Sequence, residues 1–183
     1  MRVRRDVFLA FGGLDESYDH PSIEDIEFGT RLIADGRKIE LDPAIQVKHL
    51  KRWTLLSMMR TDIRDRGIPW TLLILRLRSL PDDLNVRRSQ RASVALAGLL
   101  IGLAGAGYFI AAGICLVLLV ATNASFYRFL ASRRGILFAI RAVPLHILFH
   151  VCCGIAFVAG FAMHLVLSAR RPVGAASGPG AIG

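Results

Sequence analysis

Three carboxylates, Glu24, Asp25 and Glu27, fall within four positions of the run Ile23-Glu24-Asp25-Ile26-Glu27-Phe28-Gly29, and Val47-Lys48-His49 follows about two dozen residues on. This spacing offers a candidate general base and a candidate metal ligand in one small folding unit. A helix N-terminus carries partial positive charge, so carboxylates in a first turn can face a cation or take a proton there. Acids at that place also cap helices and complement the helix dipole, and spacing alone leaves both readings open.

The elements that position these residues are short. Arg4 to Phe11 reads as an amphipathic helix ended by Gly12-Gly13, since the residue after a last helical turn often takes positive φ. Pro21-Ser22 opens a second helix, with Ser22 as its cap, Asp25 in a capping-box-like place, and Ile26, Leu32 and Ile33 facing inward. Asp35-Gly36 closes it. Two extended pieces, Lys38 to Leu41 and Ile45 to His49, follow around Asp42-Pro43. Helix resumes over Leu55 to Arg66, Gly67-Ile68-Pro69-Trp70 breaks it, and Trp70 to Leu80 suits a headgroup region with Trp70 as anchor.

Beyond a polar break at Pro81 to Asn85 the composition changes. Residues 92–122 form a run of 31 residues without a charge, roughly 46 Å as one helix against a hydrocarbon core of about 30 Å. Gly98, Gly102, Gly105 and Gly107 permit a reversal into two short helices, 92–105 and 107–122; a single tilted helix is the alternative. An interfacial helix over 124–140 and a last crossing over 142–167 follow, then a disordered tail over 170–183. Arg87, Arg88 and Arg91 before the run, with Arg128, Arg133 and Arg134 after it, suit an even number of crossings between clusters on the cytoplasmic side. His146, His150 and His164 read as interhelical hydrogen-bonding or interfacial residues, with a metal or proton-relay role as the alternative.

The net charge of +9 is compatible with nucleic acid, but the arginines gather at the edges of apolar segments, where they set topology and meet anionic lipid. A nucleic-acid partner is therefore not expected. The three cysteines, Cys115, Cys152 and Cys153, show no zinc spacing and read as small buried hydrophobes. No secretory signal is expected at the start of the chain, which leaves the acidic unit on the cytoplasmic side.

The ordered motifs Gly12-Gly13-Leu14-Asp15-Glu16, Ile23 to Leu32, Gly36-Arg37-Lys38-Ile39, Asp42-Pro43 and Val47-Lys48-His49 resemble the C-terminal half of a family 2, GT-A type glycosyltransferase catalytic domain. Leu50 to Leu55 and Arg66 to Trp70, before apolar helices, are similar to its membrane-attached members. The resemblance implies an α/β, partial GT-A-like cytoplasmic unit over 1–91, followed by an all-α membrane region over 92–169. It also implies inverting transfer from a nucleotide-sugar donor to a lipid or glycan acceptor of the cell envelope.

On that resemblance Asp25 is the base, Glu24 shapes the acceptor site, and His49 ligates a divalent cation, Mn²⁺ or Mg²⁺, under the leaving diphosphate. A hydrogen-bonded strand histidine is the other reading of His49. Arg52 and Trp53 resemble the acceptor-binding pair of processive members, although Gln46 stands six residues before Arg52, off the expected spacing. The family's nucleotide-binding half and its Asp-x-Asp metal motif have no counterpart; Asp82-Asp83 lies outside the expected order. The chain alone is thus expected to be inactive, as a fragment, a misplaced start or one part of a split enzyme working with a separate donor-binding half. The competing expectation is a non-catalytic membrane anchor or scaffold.

Overall fold

A computed structural model describes residues 3–18, 22–40, 42, 44–46, 50, 52–77 and 87–169. Helix α1 covers Arg5–Ala10 and α2 covers Glu24–Ala34. Phe28 of α2 is fully buried, with Phe8 at 5.5 Å between ring centroids and Phe11 edge-on at 6.4 Å. Such aromatic pairs bury large apolar area in a small unit. Gly13 turns the chain back at φ 73°, which brings Phe8 under the turn. Arg31 fastens the unit: it pairs with Glu27 at 2.9 Å and donates to the carbonyls of Phe11 (2.5 Å) and Gly13 (2.8 Å). The buried face of α2 is Phe28, Gly29 and Leu32, and Ile33, expected inside, is exposed.

The expected α/β architecture is overturned. The described residues contain helices and no strand or sheet. Of the two extended pieces, Lys38 to Glu40 and Ala44 to Gln46 are irregular and exposed. A strand is stable only when its backbone groups pair in a ladder, and two pieces of four or five residues offer each other too little for that. Ile39 instead lays its side chain over α2, where a Cβ at Gly29 would stand 3.4 Å from Ile39 Cδ1.

The helix expected to break at Gly67 continues. α3 (Leu55–Arg60) starts at a capping box in which Thr54 Oγ1 accepts from Ser57 N–H and the Thr54 N–H reaches Ser57 Oγ at 2.9 Å. It passes into a π-helical segment, Thr61–Gly67, and then α4 (Ile68–Leu77). The looser π turn accommodates Pro69, which has no N–H for the carbonyl of Asp65 four residues back.

α5 (Arg88–Gly105) and α6 (Phe109–Thr122) form a hairpin about Gly107, whose φ of 83° suits glycine. α7 (Ala124–Arg134) leaves α6 at 68° through Asn123. α8 (Ile136–Ala169) runs unbroken through Pro144, so the boundary expected near residue 141 is absent and the interfacial helix ends at Arg134. The π-helical segment, α4, α5 and α7 all pack on α8.

Small residues make the closest of these approaches. Cys152, Ala156 and Gly160 form a buried stripe on α8 that meets Gly67 and Thr71. This is the spacing by which helices approach in lipid, where apolar side chains gain little from burial against one another. Phe157, Val158, Phe161 and Leu165 point outward from the same helix. α8 is long and apolar enough to cross a membrane, and its most apolar window is mainly outward-facing rather than enclosed as in a soluble core.

Candidate functional site

The acidic turn is built by α2 and the loop before it. Ile23, fully buried, is the residue at the helix start, and no side chain caps the helix there. Ser22, expected as the cap, has a different role. Its N–H donates to Glu24 Oε2 at 2.6 Å, and its hydroxyl donates to the carbonyl of Asp65 in the π-helical segment. Pro69 leaves that carbonyl without an α-helical donor, and Ser22 supplies one. The acidic turn is thereby tied to the helix that lies on α8.

The three carboxylates differ in their engagements. Glu24 folds back on Ser22, and Glu27 is held by Arg31. Asp25 is exposed, with Oδ1 accepting from the Ile26 N–H at 2.9 Å. Asp25 is therefore the carboxylate of this turn presented to solvent.

Around the turn lies a set of residues that sequence reasoning did not single out. Asp15 accepts from the Ser17 N–H at 2.9 Å, and hydrogen bonding to Ser17, aided by the charges of Arg76 and Arg31, holds its carboxyl below the usual range. Burial pushes the Tyr18 phenol up, and it feels Arg76 together with the charges of Asp15, Glu27 and Glu24. Arg76, at the end of α4, thus shares an electrostatic neighbourhood with the loop before α2. Its distance of about sixty positions in sequence hid this from any local pattern.

Glu24 and Asp25 are together by adjacency. Arg52 and Trp53 are exposed and lie before α3, outside any element shared with α2. His49 lies outside the described residues. Among those that are described, no group of three or more His, Cys, Asp or Glu side chains is arranged to hold a metal ion. Asp62 and Asp65, the acids of the π-helical segment, form no cluster with Asp25. The donor set that a divalent cation under a diphosphate requires is not assembled here, and no chemistry is derived through one.

A second polar cluster lies in the helix bundle. Tyr127 of α7 hydrogen-bonds His146 Nδ1 at 2.9 Å, and the His146 and His150 rings lie 4.4 Å apart between centroids. Asn123 donates to the Ser93 hydroxyl at 2.8 Å and to the Leu119 carbonyl at 2.9 Å. Comparison with known proteins finds no matching family model, no matching curated protein and no matching solved structure.

Proposed function

We propose that the chain is the acceptor-side, membrane-held part of a sugar-transferring enzyme, with Asp25 as general base. The observation that carries this reading is an exposed first-turn carboxylate, Asp25, in a turn tied through Ser22 to a helix packed on the candidate membrane span. The ordered motifs from Gly12 to His49 support the same chemistry by resemblance. In the transfer, an acceptor hydroxyl oxygen forms a bond to the anomeric carbon, the bond from that carbon to the nucleoside diphosphate breaks, and the hydroxyl proton passes to Asp25. The donor is held by a separate nucleotide-binding half. The acceptor is a lipid or glycan at the membrane surface.

One observation favours a second reading, a non-catalytic membrane anchor. The described residues of the acidic unit contain helices alone, with no strand-loop-helix of the kind that cradles a nucleotide. Sugar incorporation from labelled nucleotide sugars into lipid and polymer fractions, in membranes of the native host, separates the two. Asp25→Asn lowers incorporation by about 100-fold or more if it is the base, with the variant still present in the membrane fraction. Equal incorporation in wild type, Asp25→Asn and a strain lacking the chain selects the anchor.

A further inference from the structure

We propose that the α5–α6 hairpin is a re-entrant membrane wedge: its partner is the acyl chains of a bilayer, which it enters and leaves through one face. This role is independent of sugar transfer.

The base of the hairpin is polar. Arg87, Arg88 and Arg91 stand at the start of α5 and Arg128 follows in α7, while the run 92–122 between them has no charge. Across the base Asn123 clasps Ser93 at 2.8 Å. Val94, next to the clasp, reaches α8 at Gly154, where a Cβ would stand 3.4 Å from its Cγ1. Beyond Ala97 the outer faces are bare. A Cβ at Gly98, Gly102 or Gly113 would meet nothing within 4 Å, and Leu99, Ile101, Ile114 and Val117 are exposed. Exposure peaks at the tip, at 65% for Tyr108, 74% for Phe109 and 86% for Ile110. A contiguous apolar surface of this kind marks contact with something other than water.

The tip closes its own backbone. With Gly107 at a φ of 83°, its N–H donates to the Ala104 carbonyl at 3.2 Å and the Tyr108 N–H donates to the Leu103 carbonyl at 2.9 Å, the paired closure of a helix end. The Ala106 N–H donates to Gly102 O and the Phe109 N–H to Gly107 O, each at 3.0 Å. Hydrocarbon supplies neither donors nor acceptors, so a turn inside it must pair its backbone internally.

Length sets how far the wedge goes. At about 1.5 Å per residue, α5 rises about 18 Å from Ser93 to Gly105 and α6 about 21 Å from Phe109 to Asn123, against a hydrocarbon core of about 30 Å. The segment from Gly105 to Ile110 also has no charged residue to hold in the far headgroups. With the arginines of the base at one surface, the tip stops among acyl chains short of the other.

The test places a nitroxide on the full chain at Ile110→Cys, with Cys115, Cys152 and Cys153 changed to alanine, in vesicles of phosphatidylcholine and phosphatidylglycerol. Collisions with oxygen, which concentrates in hydrocarbon, are compared with those of a water-soluble nickel chelate present on both sides. High oxygen and low chelate access are expected at residue 110, and the reverse for a label at Ser89→Cys. Chelate access at residue 110 puts the tip in water at one face or the other and overturns the proposal. Low access to both agents, which puts the tip inside protein, overturns it as well, as does a Ser89 label equally shielded from the chelate. Amide exchange of the wild-type chain in nanodiscs of the same lipids covers the case in which the cysteine-free chain fails to fold. Leu103 to Phe109 are then expected to be as protected as the middle of α8, and exchange at the rate of a surface turn overturns the wedge.

Discussion

Asn123 Nδ2 donates to the hydroxyl of Ser93, 30 residues earlier, at 2.8 Å, and both residues are buried at the base of the α5–α6 hairpin. The same amide donates to Leu119 O, so one side chain closes the hairpin and finishes α6 where the chain turns by 68° into α7. Ser93 in turn donates to the Ser89 carbonyl. In lipid such interhelical bonds are worth about 0.6 kcal/mol on average. A double-mutant cycle of Ser93→Ala and Asn123→Ala, read by unfolding in mixed micelles, is expected to give a coupling energy of about that size. Strict additivity would mean that the two residues act separately.

Gly67 and Gly160 set the approach of the π-helical segment and α4 to α8. A Cβ at Gly67 would run into the Ala156 Cβ and stand 2.7 Å from the Asp62 carbonyl oxygen; one at Gly160 would stand 2.8 Å from Thr71 Cβ. Backbone and short side chains on both sides cannot swing away. Gly67→Ala and Gly160→Ala are each expected to cost about 1–3 kcal/mol. Gly98→Ala, in open space, is expected to be tolerated. Thermal unfolding of the three variants side by side checks the contrast.

Asp62 provides a pH dependence. Burial pushes its carboxyl above the usual range, and the nearby Arg66 charge opposes that only in part. The folded state therefore holds this proton more tightly than the unfolded chain does. The stability it contributes is fully present below the unfolded value of about 3.9 and is lost as pH rises through the raised folded value. Asp62→Asn should raise the thermal midpoint at pH 7, with the gain shrinking toward pH 4. A variant less stable than wild type at pH 7 would show that the attraction to Arg66 outweighs burial.

Arg31 holds three partners at once, Glu27 and the carbonyls of Phe11 and Gly13, with its guanidinium 5.2 Å from the Phe28 ring centroid. A lysine cannot reproduce that planar fork. Arg31→Lys is expected to cost about 1.5 kcal/mol. Amide exchange in α1 should quicken by about tenfold as that helix loosens from α2. Exchange unchanged in α1 would assign the anchoring of α1 to the phenylalanines alone.

Local chemistry made several of these elements legible. Gly12-Gly13 and Gly36 stand just beyond α1 and α2 because their backbones take positive φ that side chains resist, and Gly107 sits in the α5–α6 turn for the same reason. The acidic first turn was visible as composition. Pairing was not: Lys38 to His49 has strand-like residues, but a strand depends on neighbours that no local pattern supplies. Proline misled at Pro69, because a helix packed against others tolerates one missing N–H that an isolated helix would not. Ser22 looked like a cap, and its use as a link to Asp65 depended on a carbonyl 43 positions away that Pro69 leaves without an α-helical donor.

The hairpin also bears on the lipid around it. Its arms, α5 of 18 residues and α6 of 14, reach about 27 and 21 Å, both short of a hydrocarbon core of about 30 Å. Placed beside the 34-residue α8, which exceeds that core, the hairpin gives one flank of the molecule a shorter hydrophobic height than the other. If the hairpin shares a bilayer with α8, the helix long and apolar enough to cross one, lipid thins on that side and stays full thickness on the opposite one. Such a collar would favour thin or curved bilayer and would give a lipid chain a shallower path to the surface beside the hairpin.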